Sequence, residues 1–209
     1  MEEYTTEALE VCVPNDLANL YLPDPTLLQY YKDVRDRIYW LDGEVCADTL
    51  DIVKAIMTHN HEDAGIPVNE RKPIKIMIDS GGGSVQVMWS IINAIKISET
   101  PVWTIVYCSA MSAAAHILAA GHRRFAFPGS VILVHSGSIS IDGDVEKVES
   151  AKRYYDGVSK SANALFVADT KILPRDLKNK GSRDWYMTAE EALERGVIDC
   201  IVSDFEEVM

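Results

Sequence analysis

Three side chains in this sequence could act together on a carbonyl carbon. Ser112 lies in Cys108-Ser-Ala-Met-Ser-Ala-Ala-Ala115, just after a β-rich run and where a small-residue helix begins. A hydroxyl in the first turn of a helix sits beside free amides and the positive end of the helix dipole, which favour negative charge on an attacked carbonyl oxygen. Ala110, Ala113, Ala114 and Ala115 would let a substrate backbone come close. Serine is equally a favoured helix N-cap, so residue type alone leaves both readings open. His135 closes the apolar run Val131-Ile-Leu-Val134, where it is either a satisfied core residue or a neutral general base. Asp184 precedes Trp185-Tyr-Met-Thr188; it is either a solvated acid or the carboxylate that fixes a histidine tautomer. Thr188-Ala-Glu-Glu191 reads as a capping box, which puts Asp184 in the loop before a helix.

Other constellations point elsewhere. Ile78-Asp-Ser-Gly-Gly-Gly83 permits backbone shapes and close approach that side chains forbid. It is a phosphate cradle or a platform of amides for a peptide carbonyl; GxxxxGK[ST] and GxGxxG are both absent, which favours the platform. His59-Asn-His61-Glu-Asp63 has a spacing that metal sites use, but it lacks a further histidine and falls in a polar stretch, so no metal is expected. His116 and His122 read as structural or surface residues. Cys12, Cys46, Cys108 and Cys200 form no CxxC pair and read as reduced, mostly buried thiols without a catalytic role. Paired glycosidase carboxylates cannot be picked out by spacing.

These residues need elements to hold them. Residues 1–27, broken by Pro14, Pro23 and Pro25, read as a flexible arm, and 28–209 as one domain. Strands are expected at 37–41, 72–78, 102–107, 124–127 and 131–134, and helices at 47–57, 84–97 and 112–120. Residues 59–71 read as loop. The alternation implies an α/β domain with a largely parallel, buried sheet. An exposed strand is expected at 136–141, followed by a long helix at 144–170 that either packs on the core or serves as an intersubunit element.

Bulk properties narrow the class further. With 209 residues, 47% of them hydrophobic, the chain can bury a core without staples. A formal charge of -12 and the lack of Lys/Arg runs argue against a nucleic-acid binder. Residues 1–13 have no basic n-region or apolar core, so no signal peptide is expected, and no run approaches the ~20 apolar residues of a membrane span. A cytoplasmic protein is the expectation.

Five blocks in order, RIYWLDGEV (37–45), IDSGGGSV (78–85), SAMSAAAHILAAG (109–121), FPGSVILVHS (127–136) and DWYMTAEEALERGVID (184–199), resemble the Clp proteolytic-subunit family, ClpP, over residues 35–202. The resemblance implies a crotonase-like fold with a protruding strand–helix handle at about 136–170, and a serine endopeptidase with Ser112 as nucleophile, His135 as base and Asp184 orienting it. It places Gly83 and Ala113 at the backbone amides of the oxyanion hole. It further implies stacked heptameric rings forming a tetradecamer around a chamber, an AAA+ unfoldase partner that supplies ATP-driven feeding, unfolded polypeptides as substrates, and no cofactor. The sequence differs from the family in having Ser80-Gly-Gly-Gly83 for Ser-Pro-Gly-Gly, Ser112-Ala-Ala114 for Ser-Met-Gly, and few glycines at 136–142, as in a divergent or phage-borne member. Alternatives are an inactive ring subunit, a phage capsid-maturation protease and a crotonase-type acyl-CoA enzyme.

Overall fold

The computed structural model describes residues 24–137, 140–180 and 183–208. Most of the arm expected at 1–27 lies outside the described residues. The chain divides into one unit ending at Asp36 and another starting at Arg37. The first contributes α1 (Pro25–Arg35). Asp24 caps it by accepting from the Thr26 N–H at 2.8 Å, and Pro25 stands where a helix has no use for its missing N–H.

In the second unit, β1 (Ile38–Leu41) and the short β2 (Glu44–Val45) lead into α2 (Asp51–Glu62). Next come β3 (Ile74–Ser80), β4 (Gly82–Gly83) and α3 (Val85–Ile97), then β5 (Val102–Met111) and α4 (Ala113–Ala120). They are followed by β6 (Arg123–Ala126), β7 (Val131–Val134), α5 (Val145–Asp169), α6 (Pro174–Lys180), β8 (Trp185–Thr188), α7 (Ala189–Glu194) and β9 (Cys200–Ile201). The main sheet runs β1-β3-β5-β6-β9, all parallel; β7 is also parallel to β5, and among the described strands only β8 is antiparallel, to β7. This is the mostly parallel α/β sheet expected. β3 is buried on both faces: Ile74, Ile76 and Ile78 join the main core, and Met77 joins Ile38, Ile105 and Phe125 on the other side. Burial of both faces is the usual state of a parallel sheet.

β5 forks. Its first part pairs with β6 through Trp103–Val106 and its last with β7 through Ser109–Met111. Cys108 stands at the fork with no neighbouring strand on that side, and is exposed; Cys46 and Cys200 are half-buried. Cys12 lies outside the described residues, and the burial expected of the other three is not met. The nearby Asp79 carboxylate pushes the Cys108 thiol up, away from a reactive thiolate.

Three further expectations are corrected. Residues 59–62 are the last turn of α2 rather than loop, because His59 turns inward, with Nε2 2.7 Å from the Tyr39 hydroxyl and Nδ1 2.7 Å from Glu62. Asp63 is buried, holds the Arg37 guanidinium with both oxygens at 2.7 Å and accepts from Thr100 Oγ1 at 2.8 Å. That guanidinium keeps its carboxyl below the usual range. Second, Ser136, Gly137, Ser140 and Ile141 fall outside every strand, and 138–139 lie outside the described residues. Among the described residues no strand pairs with this polar segment, and a segment without a paired edge forms no ladder. Third, β8 forms where only a loop was expected, at 185–188. Among the described residues, no helix is long and apolar enough to cross a membrane.

Candidate active site

The sheet brings the three sequence-selected side chains together through its registers. Met111 pairs with Leu133, and the next amide, Ser112 N–H, donates to the Leu133 carbonyl at 2.9 Å. Ser112 thus leaves the end of β5 beside the end of β7, one residue short of His135. In the antiparallel pair Val134 faces Trp185, so continuing that register by one step sets His135 opposite Asp184. Ser112 and His135 stand just past the carboxyl ends of parallel strands, where open α/β sheets bind their ligands.

Ser112 Oγ lies 2.8 Å from His135 Nε2, and His135 Nδ1 lies 3.4 Å from Asp184 Oδ1. A carboxylate on the Nδ1 side favours the proton there, which leaves Nε2 as an acceptor for the serine hydroxyl. Ser112 occupies the N-cap position of α4, yet its side chain makes no capping bond. The capping alternative is therefore overturned, because the hydroxyl is turned to the histidine. Its backbone, at φ 54° and ψ -121°, is in territory that favours glycine, and Asp184 shares the positive φ at 54°. Such conformations cost about 1–3 kcal/mol each and persist where surrounding structure enforces them. The His135 side chain is 26% exposed and that of Asp184 57%. The dyad is thus sheltered, while the carboxylate faces solvent.

The glycine segment is tied down by Ser80, whose hydroxyl donates to the Gly43 carbonyl and accepts from Gly82 N–H at 3.2 Å. Gly82, at φ +98°, is the residue against the nucleophile: a Cβ there would lie 2.8 Å from Ser112 Cβ and 3.0 Å from Ala113 N. The sequence reading passed over it, since three successive glycines do not announce which one touches the serine. Gly83, at φ +147°, presses instead on β2, where a Cβ would lie 2.9 Å from Val45 N. Ala113 opens α4, so its N–H has no intrahelical partner. Thr188 and Glu191 form the capping box read from the sequence, but it follows β8, so Asp184 precedes a strand rather than the helix itself.

Beside Ser112 a cavity of about 280 Å³ opens between α3, α4 and α5, bounded by Val85, Met88, Ala113, His116 and Ala162. Through His135, Asp156 and Asn163 it meets a larger one of about 770 Å³ that runs between α5 and α6. Together they make a groove, mostly apolar, that passes the serine and the histidine. His116 is a second residue the sequence reading set aside; four positions after Ser112, it shares the serine's face of α4. Chemically, the arrangement offers a hydroxyl beside a base, free amides at a helix start and a groove for an extended substrate. His59, His61 and Asp63 are not part of it. Among the described residues no cluster of His, Cys, Asp and Glu could hold a metal ion. The family model described as Clp protease matches residues 29–205 of the chain.

Proposed function

The chain belongs to the Clp protease family and is a peptidase of that type; on that premise we propose that it is a serine endopeptidase subunit of an ATP-dependent protease, acting on unfolded polypeptides inside an oligomeric chamber. Ser112 Oγ attacks the scissile carbonyl carbon as His135 Nε2 takes its proton. The imidazolium, stabilised by Asp184, then gives that proton to the leaving amine, and an acyl-enzyme remains on Ser112. Water, deprotonated by His135, attacks the ester and releases the new carboxyl end. The Gly83 and Ala113 amides donate to the oxyanion; because both are main-chain groups, alanine at 113 removes neither donor.

The observation that carries this reading is the 2.8 Å contact between a hydroxyl that caps nothing and the Nε2 of His135. Labelling by a fluorophosphonate tests it. Modification at Ser112, lost in Ser112→Ala and suppressed in His135→Ala, is the expected result; a folded, assembled protein whose Ser112 stays unlabelled would overturn the proposal.

Assembly into stacked rings and feeding by an AAA+ unfoldase belong to the same reading. Two features support assembly: no residue of α5 before Ala162 is buried, although Val145 and Tyr154 are apolar, and Ile97 and Met57 are 81% and 67% exposed in the single chain. Sedimentation of the purified chain distinguishes a ring from a monomer.

A further inference from the structure

α4 is buried along its whole length except at one residue. Ala113, Ala114, Ala115, Ile117, Leu118, Ala119 and Ala120 are enclosed, whereas His116 opens onto the cavity beside Ser112. Its Nδ1 is 3.1 Å from the Ser112 carbonyl oxygen, which can only accept, so Nδ1 carries the proton. Burial pushes the imidazole down and keeps it neutral; the Ser112 carbonyl and Asn163 only partly oppose this. A neutral ring protonated at Nδ1 has a bare lone pair at Nε2. That atom is buried and makes no hydrogen bond of normal geometry among the described residues, although the Asn163 side chain lies near enough to act on the ring. An unpaired buried acceptor is costly, and a ligand that donates to it recovers the cost.

We propose that His116 sets the specificity of this site, accepting a hydrogen bond from the side chain on the amino side of the scissile bond and so favouring a neutral residue that ends in an N–H or O–H group. The inference rests on Ser112 being the nucleophile, since only then does the adjoining cavity receive that side chain. Val85, Met88 and Ala162 clothe the stem of such a residue. A glutamine-like side chain satisfies both the apolar wall and the acceptor. Methionine matches the wall but leaves Nε2 unpaired. Glutamate offers no donor when ionised and brings an uncompensated charge, and lysine would have to bury its ammonium.

The test uses the full-length, assembled protein with fluorogenic peptides that differ only in Gln, Met or Glu before the scissile bond. The expected kcat/KM order is Gln over Met by about tenfold or more, with Glu poorest. His116→Phe removes the acceptor and should bring the Gln/Met ratio to one or below. His116→Gln keeps an acceptor and should retain part of the preference, which a purely structural role would not do. A wild-type preference for Met, or a Gln/Met ratio that His116→Phe leaves unchanged, overturns the inference. Equilibrium binding of peptides ending in Gln or Met to Ser112→Ala reads the cavity without any chemistry; equal affinities again overturn it. Fluorophosphonate labelling reports the nucleophile separately, so failure of the cavity reading and failure of the serine mechanism give different results.

Discussion

The Ser112 hydroxyl lies 2.8 Å from His135 Nε2, although it stands where a serine would ordinarily cap its helix. Backbone geometry settles which partner it takes. At φ 54° and ψ -121° the residue turns its side chain off the helix end and toward the residue that follows β7. A pair that acts as a unit has a kinetic signature. Ser112→Ala and His135→Ala should each lower kcat by about 10⁴-fold or more, and the double variant should be no worse than either alone. Peptide hydrolysis with circular dichroism as a fold control checks this; multiplicative losses would show that the residues act independently.

Gly82 and Gly81 are neighbours with opposite tolerances. A Cβ at Gly82 would press on Ser112 Cβ and Met111 O at 2.8 Å, in a backbone conformation of φ +98°, whereas nothing lies within 4 Å of one at Gly81. Gly82→Ala should displace the nucleophile and destabilise the fold by about 1–3 kcal/mol. Gly81→Ala should leave both labelling and denaturation midpoint close to wild type. Equal effects of the two substitutions would contradict this account of the loop.

The Arg37–Asp63 pair ties the start of β1 to the end of α2, with exposures of only 14% and 4% for the two side chains. Removing one partner leaves a buried charge, so Arg37→Ala should cost about 3–5 kcal/mol at neutral pH. Replacing both residues by apolar ones should cost far less. The Asp63 carboxyl is held below its usual range, chiefly by Arg37. A lowered folded value means that its contribution is complete above the unfolded value of about 3.9 and is lost as pH falls through the folded one. Urea midpoints should therefore drop on acidification below about pH 4, and the drop should be shallower in Asp63→Asn.

Val145 is 74% exposed at the start of α5 and Tyr154 is 55% exposed further along. If this helix joins subunits, Val145→Asp with Tyr154→Asp should leave the subunit's own stability within about 1 kcal/mol, since exposed substitutions rarely do more. The same variant should lose the assembled species in sedimentation, and peptidase activity with it. Unchanged assembly would assign these exposed positions to solvent.

Much of the architecture was legible in residue order. Periodicity located β3, α3, β7 and the long α5, because apolar residues recur at the spacing that burial on a sheet or helix demands. The capping box at Thr188 was equally readable, since it is a contact between residues three apart. Cys108 was misjudged because its exposure comes from the fork of β5 between two partner strands, a feature of sheet topology rather than composition. β8 was missed for a related reason: with Trp185 and Met187 buried and Tyr186 exposed, its alternation is too short to stand out until β7 provides an edge.

The residue types at 112, 135 and 184, and the five blocks around them, were determined by the sequence alone. Whether serine would cap a helix or meet a histidine was not, because the two outcomes differ only in backbone angles enforced by distant strands. The same holds for His116, whose Nε2 is buried, with no hydrogen bond of normal geometry among the described residues, where α3, α4 and α5 converge. Local chemistry is written in neighbouring residues, while the partner of a side chain is chosen by strand register, and register is a property of the whole sheet.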